Sequence, residues 1–170
     1  MPSIRHLTLG DLDHELAGTR RVLERVPMDK LDWRPHAKSM TLGELAMHVA
    51  AVPFYGIAML QADRWDMLGP MPPRPPMPTT TAELLAVFDR NVSSLLALLD
   101  AADDAAMTAT WSMTRGEQVL MSQPRAAALR AFVPNHLIHH RAQLGVYLRL
   151  LDVPVPAVYG NSADENPMAG

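Results

Sequence analysis

A run of prolines in the middle of the chain, Gly69-Pro-Met-Pro-Pro-Arg-Pro-Pro-Met-Pro78, restricts the folds open to it more than any other feature. Six of the nine positions from 70 to 78 are proline, which removes backbone donors and favours extended polyproline II. The residues from Met67 to Thr79 reach roughly 40 Å in that conformation, about the length of a 26-residue helix. Long segments of helical periodicity lie on both sides of the run. It can therefore travel the side of a helical bundle and let the next helix run parallel to the one before, which a short turn cannot do.

The flanking periodicities are specific. Leu9, Leu12, Leu16, Leu23 and Val26 recur at three-to-four spacing and predict a first helix over about 8–26, stopped by Pro27. Thr41-Leu-Gly-Glu44 fits a capping box and opens a second helix, 41–66, in which Pro53 is expected to introduce a bend. Leu84, Phe88, Val92, Leu95 and Leu99 mark a third helix over 81–102. Residues 103–124, with Gly116 between two apolar stretches, read as a short hairpin or irregular loop. A fourth helix follows over 125–152, bent near Pro134, and a polar tail, 153–170, is expected to cover one end. The expectation is one all-α domain over 1–170, a four-helix bundle whose proline run crosses between helices 2 and 3.

Composition narrows the chemistry. At 170 residues, 48% of them hydrophobic, the chain can bury a core without staples. It has no cysteine, which excludes disulfides, thiolate metal sites, iron–sulfur clusters and a cysteine nucleophile. Fifteen Lys and Arg against 18 Asp and Glu leave a net charge of −3 with no basic stripe, so a nucleic-acid partner is not expected. Charge or proline interrupts each apolar stretch before the ~20 residues of a membrane span, and Met-Pro-Ser-Ile-Arg-His6 lacks the order of a signal peptide. The expected compartment is the cytoplasm, with no membrane partner.

The chain carries seven histidines, three of them in His136-Leu-Ile-His139-His140. At 100° per residue His140 falls about 40° from His136, on a stripe with Leu129, Phe132, Gln143 and Tyr147. Histidines four apart have Cβ atoms about 5–6 Å apart, close enough to converge on one ion. His139 sits at the edge of that stripe. His48 shares a side of the second helix with Leu45, Val52, Tyr55 and Met59. Three inward imidazoles from two helices would provide three neutral nitrogen ligands and leave positions for water or substrate, the arrangement of a catalytic metal.

An inward histidine can equally be a core residue with both ring nitrogens satisfied, and periodicity does not place His48 level with the pair. Gln143 is a candidate to orient a bound water or a ligand histidine, and Tyr55, Met59 and Tyr147 are candidate pocket residues. Arg141 and Arg149, about 140° and 220° from His136, read as surface or dimer-contact residues. His6, His14 and His36 fall near element ends. The Glu-x-x-His motifs of a di-iron carboxylate bundle are missing, and His14-Glu15 has no second zincin histidine.

Two longer motifs carry a resemblance. Leu31-Asp-Trp-Arg-Pro-His-Ala-Lys-Ser-Met-Thr-Leu-Gly-Glu-Leu-Ala-Met-His48 is similar to the second-helix signature of the DinB family, damage-inducible and YfiT-like proteins regarded as metalloenzymes. His136-Leu-Ile-His-His-Arg-Ala-Gln143 and the segments Val153-Pro-Val-Pro156 and Tyr159-Gly-Asn-Ser-Ala-Asp-Glu165 resemble its fourth helix and tail. Ala142 stands where the family often has glycine. The resemblance implies an up-down-down-up bundle, a divalent metal, commonly zinc or nickel, on His48, His136 and His140, and a homodimer. It also implies thiol-dependent transferases and isomerases or hydrolases as activities. With no cysteine in the chain, thiol chemistry would need a low-molecular-weight thiol as cosubstrate.

The leading expectation is a metal-dependent S-transferase or isomerase acting on a small electrophile, because no Asp or Glu lies beside the predicted ligands as a general base. The alternatives are a hydrolase using a metal-bound water and a non-catalytic, stress-related protein that binds the metal or a small molecule.

Overall fold

The computed structural model describes residues 1–70, 73 and 75–166. The first predicted helix is two: α1, Ile4–Leu9, and α2, Leu12–Leu23. Gly10 makes the break. A Cβ at this position would lie 2.6 Å from the His6 carbonyl oxygen, so only glycine lets the chain pass so close. The second helix, α3, Leu42–Gln61, starts as predicted: Thr41 Oγ1 accepts from the Glu44 amide at 3.1 Å, and Glu44 Oε2 accepts from the Thr41 amide at 2.7 Å. It continues through Pro53 but ends at Gln61, because Arg64–Asp66 leave it to form a strand, β1. Residues 71, 72 and 74 of the proline run lie outside the described residues; its described part contains no helix or strand.

The third long helix, α4, Thr81–Ala101, opens on a second capping box, Thr80 with Glu83. A short α5, Asp104–Thr108, leads into strands β2, Thr110–Arg115, and β3, Gln118–Pro124. The last helical stretch is continuous but not uniform: α6, Arg125–Arg130, a π-helical turn, Ala131–Asn135, and α7, His136–Leu150. Pro134, which lacks a backbone donor, lies inside the π-helical turn.

Of the stretch 103–124 read as a hairpin or irregular loop, 110–124 form the hairpin, turned by Gly116 with φ +61°, while 104–108 are helical. All-α does not hold. The three strands form one sheet in the order β1-β2-β3, with β1 parallel to β2 and β2 antiparallel to β3. Trp65 stands opposite Met113 in the parallel pair. Arg64 Nε donates to Thr114 Oγ1 at 3.0 Å, and the Asp66 carboxylate accepts from the Gly116 amide at 2.9 Å. The fold is mostly helical with a small mixed sheet.

Helix α3 packs against α4 and α7, and α2 against the same two helices. Leu45, Val49 and Val52 of α3, Leu84 and Leu95 of α4, and Leu137 and Leu144 of α7 are wholly buried between them. Among the described residues α3 is also the one helix long and apolar enough to cross a membrane, at 20 residues and a mean hydropathy of 1.3. Its apolar surface is instead spent on the core, since Leu42, Leu45, Val49, Ala50 and Val52 have no exposed area.

Of the tail, residues 167–170 lie outside the described residues, and the described part, 153–166, runs beside the helices rather than over an end. It lies along the seam between α2 and α7, where Arg21 Nη1 donates to the Ala157 carbonyl at 2.8 Å and Glu165 pairs with Arg21 and Arg25. Beneath it, Arg141 is buried, contrary to its reading as a surface residue. Its Nη2 lies 2.8 Å from Glu15 Oε2, the two side chains only 4% and 3% exposed. The face of α7 turned away from the histidines meets another helix, α2, which supplies this partner. Tyr159 closes the arrangement, donating to Glu15 Oε1 at 2.7 Å with its ring 5.2 Å from the Arg141 guanidinium carbon. Arg149 is a surface residue as expected, paired with Asp164.

Candidate metal centre

The capping box at Thr41 fixes where α3 begins, and His48 lies two turns further on, partly buried beside α7. His136 opens α7 directly after the π-helical turn, and His140 follows one turn later. These elements bring the three imidazoles together. His48 Nε2 is 3.1 Å from His136 Nε2, and the His140 ring lies 4.4 Å from that of His48 and 4.7 Å from that of His136, centroid to centroid. One ring nitrogen from each lies within 4.8 Å of the other two. Two imidazole nitrogens bound at 2.0–2.1 Å to a tetrahedral ion stand about 3.3 Å apart, so the spacing of the first pair matches that of two ligands.

The site favours neutral rings. Burial, reinforced by His140 and His136, pushes the His48 pKa down to about 4. Burial also lowers His136, with His140 acting in the same direction and a hydrogen bond to the Phe132 backbone opposing it. His140 is lowered by burial against the pull of Gln143. Near pH 7 all three therefore keep lone pairs for coordination. No carboxylate, ammonium or guanidinium is among the groups that shift these three histidines, taken over the described residues. Three neutral imidazoles with no anionic side chain suit a borderline divalent transition ion with open positions rather than Mg²⁺ or Ca²⁺, which prefer oxygen. The residues present fit such an ion.

Ligand histidines usually have the ring orientation set by a partner on the other nitrogen. Gln143 supplies one: its Oε1 is 2.8 Å from His140 Nδ1. An amide oxygen can only accept, so the proton sits on Nδ1 and the lone pair is left on Nε2. The other end of the same amide donates to His139 Nε2 at 3.1 Å, which places His139 beside the centre rather than in it. His136 is held differently. Its ring stacks on that of Tyr55 at 5.6 Å, and its backbone amide bonds the Val133 carbonyl. The π-helical turn thus contributes to the orientation of the first residue of α7.

Of the candidate pocket residues, Tyr55 reaches the centre. Its ring stacks on His136 at 5.6 Å and meets His48 at 6.3 Å. Met59 is 1% exposed in the core. Tyr147 is also buried and points elsewhere, donating to the Met40 carbonyl at 3.2 Å with its ring edge-on to Trp33. His6, His14 and His36 are exposed. One residue beside the centre has no signal in the local sequence: Trp65, whose ring lies 6.0 Å from that of Tyr55. Periodicity had placed it in the last turn of a helix, and only its pairing with β2 swings it here.

A family model for the DinB superfamily matches residues 11–144. Two crystal structures share the fold. A DinB-like protein from Bacillus cereus ATCC 10987 is 20% identical with a TM-score of 0.69, the alignment covering 89% of this chain and 95% of that one. A DinB-like protein from Bacillus subtilis is 14% identical with a TM-score of 0.65, covering 89% and 96%. No curated protein matches the sequence significantly.

Proposed function

Since the chain belongs to the DinB superfamily, we propose that His48, His136 and His140 hold a divalent cation, zinc or nickel, and that the protein uses it to transfer a low-molecular-weight thiol to a small electrophile. The convergence of three neutral imidazole nitrogens within 4.8 Å carries this reading. A divalent ion held by these three histidines would supply Lewis acidity, which lowers the pKa of a thiol or water at neutral pH. The side chains do the rest. His48, His136 and His140 offer lone pairs, Gln143 keeps the His140 proton on Nδ1, and the Tyr55 ring stacks on His136.

The choice of thiol transfer over hydrolysis is supported by the charges around the centre. A hydrolytic water needs a base to take its second proton, and no carboxylate acts on the three histidines among the described residues. A thiol has one proton to lose, and the sulfur must come from outside a chain without cysteine. The reading includes an up-down-down-up arrangement of the long helices in one domain and a homodimer. Val146 and Leu150, 58% and 57% exposed on α7, offer apolar surface for the dimer.

The test has two parts. Protein loaded with Zn²⁺ or Ni²⁺ and desalted is expected to hold close to one ion per chain, and H48A and H140A to lose it, by elemental analysis. Glutathione, bacillithiol and mycothiol are then offered with a chromogenic electrophile, with and without chelator, beside a panel of esters and amides. Metal content unchanged in both variants would sink the site assignment. Turnover of esters alone would select hydrolysis, and metal bound without any turnover would select a binding protein.

A further inference from the structure

The wall beside the three histidines is aromatic. Tyr55 lies seven residues beyond His48 on α3, stacked on His136 with an interplanar angle of 24°. Trp65 extends that wall, 6.0 Å from Tyr55 and 6.4 Å edge-on from Phe54. Both Tyr55 and Trp65 are only partly buried. Neither the Tyr55 hydroxyl nor the Trp65 indole N–H bonds a protein group among the described residues. Tyr and Trp carry an apolar ring with a polar tip, and at these two the partly open ring and its unpaired polar atom are both left for a ligand to use.

The local structure fixes Trp65 in place. Arg64 bonds Thr114 Oγ1 and the Gly116 carbonyl, at 3.0 and 3.1 Å. Asp66 accepts from the Gly116 and Leu68 amides at 2.9 and 3.0 Å. Both neighbours of Trp65 thus spend their polar atoms on holding a three-residue strand. The ring so held is not sealed into the core but left half-open next to Tyr55, as a preorganised contact surface would be.

We propose that Tyr55 and Trp65 form the acceptor subsite of the centre, and that it takes a flat aromatic or conjugated group attached to the reacting function. The proposal rests on the cation reading above and names the class of electrophile it would act on. Recognition would be by ring contact, since Tyr55 and Trp65 offer their rings there while Arg64 and Asp66 on either side of Trp65 are engaged with Thr114, Gly116 and Leu68. Such contacts, made by two rings, are expected to favour an aryl ligand by roughly tenfold over an alkyl one of the same head group.

Hydroxamates test this, because the head group chelates a divalent ion while the substituent varies. Benzohydroxamate and acetohydroxamate are titrated into the Zn²⁺-loaded protein by calorimetry, and their affinities corrected for their difference toward free Zn²⁺. The wild type is expected to prefer benzohydroxamate roughly tenfold. W65L should lose most of that preference while keeping its zinc and its affinity for acetohydroxamate. W65F should retain most of it. Y55L, with zinc content checked, should also lose preference. Equal corrected affinities in zinc-bound wild type, or a preference that survives in both W65L and Y55L, would overturn the aromatic subsite and leave the metal site standing. A wild type that retains no zinc and binds neither compound would overturn both.

Discussion

Glu15 and Arg141 set a sharp test of how α7 is held. The two side chains are 3% and 4% exposed, and their ion pair joins the helix carrying His140 to α2. Arg141 Nη1 also donates to the Glu15 carbonyl at 3.0 Å and to Thr19 Oγ1 at 3.3 Å. Removing one partner leaves a charge without a counter-ion in a site closed to water, a loss of about 3–5 kcal/mol. Replacing both by well-packed apolar side chains removes the desolvation cost together with the attraction, and such exchanges are often neutral or stabilising. E15M and R141M are therefore each expected to lose about 3–5 kcal/mol, and the double variant to lie much nearer the wild type. In a domain of this size 1 kcal/mol moves Tm by about 2–4 °C, so each single variant should melt roughly 6–20 °C lower. Urea unfolding of the four proteins, followed by circular dichroism, gives the coupling energy directly. Two single losses below about 1 kcal/mol, or a double loss equal to their sum, would show that the pair is solvated or that its members act independently, and the argument would fail.

Three further outcomes are expected. Q143A should weaken metal binding about 10- to 100-fold, measured by competition with a chromophoric chelator, with far-ultraviolet circular dichroism unchanged and affinity largely restored in Q143E, whose carboxylate still accepts from His140. Stability of the metal-free protein should fall as pH drops from 6.5 toward 4, because His48 titrates near 6.5 when unfolded but is held down to about 4 when folded. The native state binds fewer protons across that window, and after allowance for partial exposure the loss is on the order of 1–2 kcal/mol; a flat urea midpoint between pH 7 and 4.5 would contradict it. R125M should cost about 2–3 kcal/mol, since Arg125 is buried and donates to the Met59 carbonyl at 2.9 Å, whereas D63A, at its 82% exposed partner, should cost under about 1 kcal/mol.

What the sequence makes legible here follows from how far apart the cooperating residues lie. The caps at Thr41 and the phase of His136 with His140 are contained within one turn or two of helix, and the structure reproduces both. The break at Gly10 was equally local but hidden, since leucines continue the helical period on either side of it. β1 could not be read at all: Arg64-Trp-Asp66 carries no strand signal, and its partner lies about 50 residues away in β2. Trp65 was lost with it. Arg141 was misplaced for a related reason, as rotation away from the ligand stripe reads as solvent unless another helix is known to lie there. Its buried partner, Glu15, is 126 positions earlier.

The π-helical turn at 131–135 holds, in effect, one residue more than regular α-helix would. At about 100° per residue that surplus rotates the surface of α6 by roughly a quarter of a circle relative to α7. The same continuous rod can therefore aim Arg125 at the Met59 carbonyl near the end of α3 and His136 at His48 nearer its start. Deleting one residue from the turn would preserve the spacing of His136 and His140 yet point Arg125 away from α3. Chain length at this one place, rather than the identity of any side chain, lets the rod serve both ends of its neighbour.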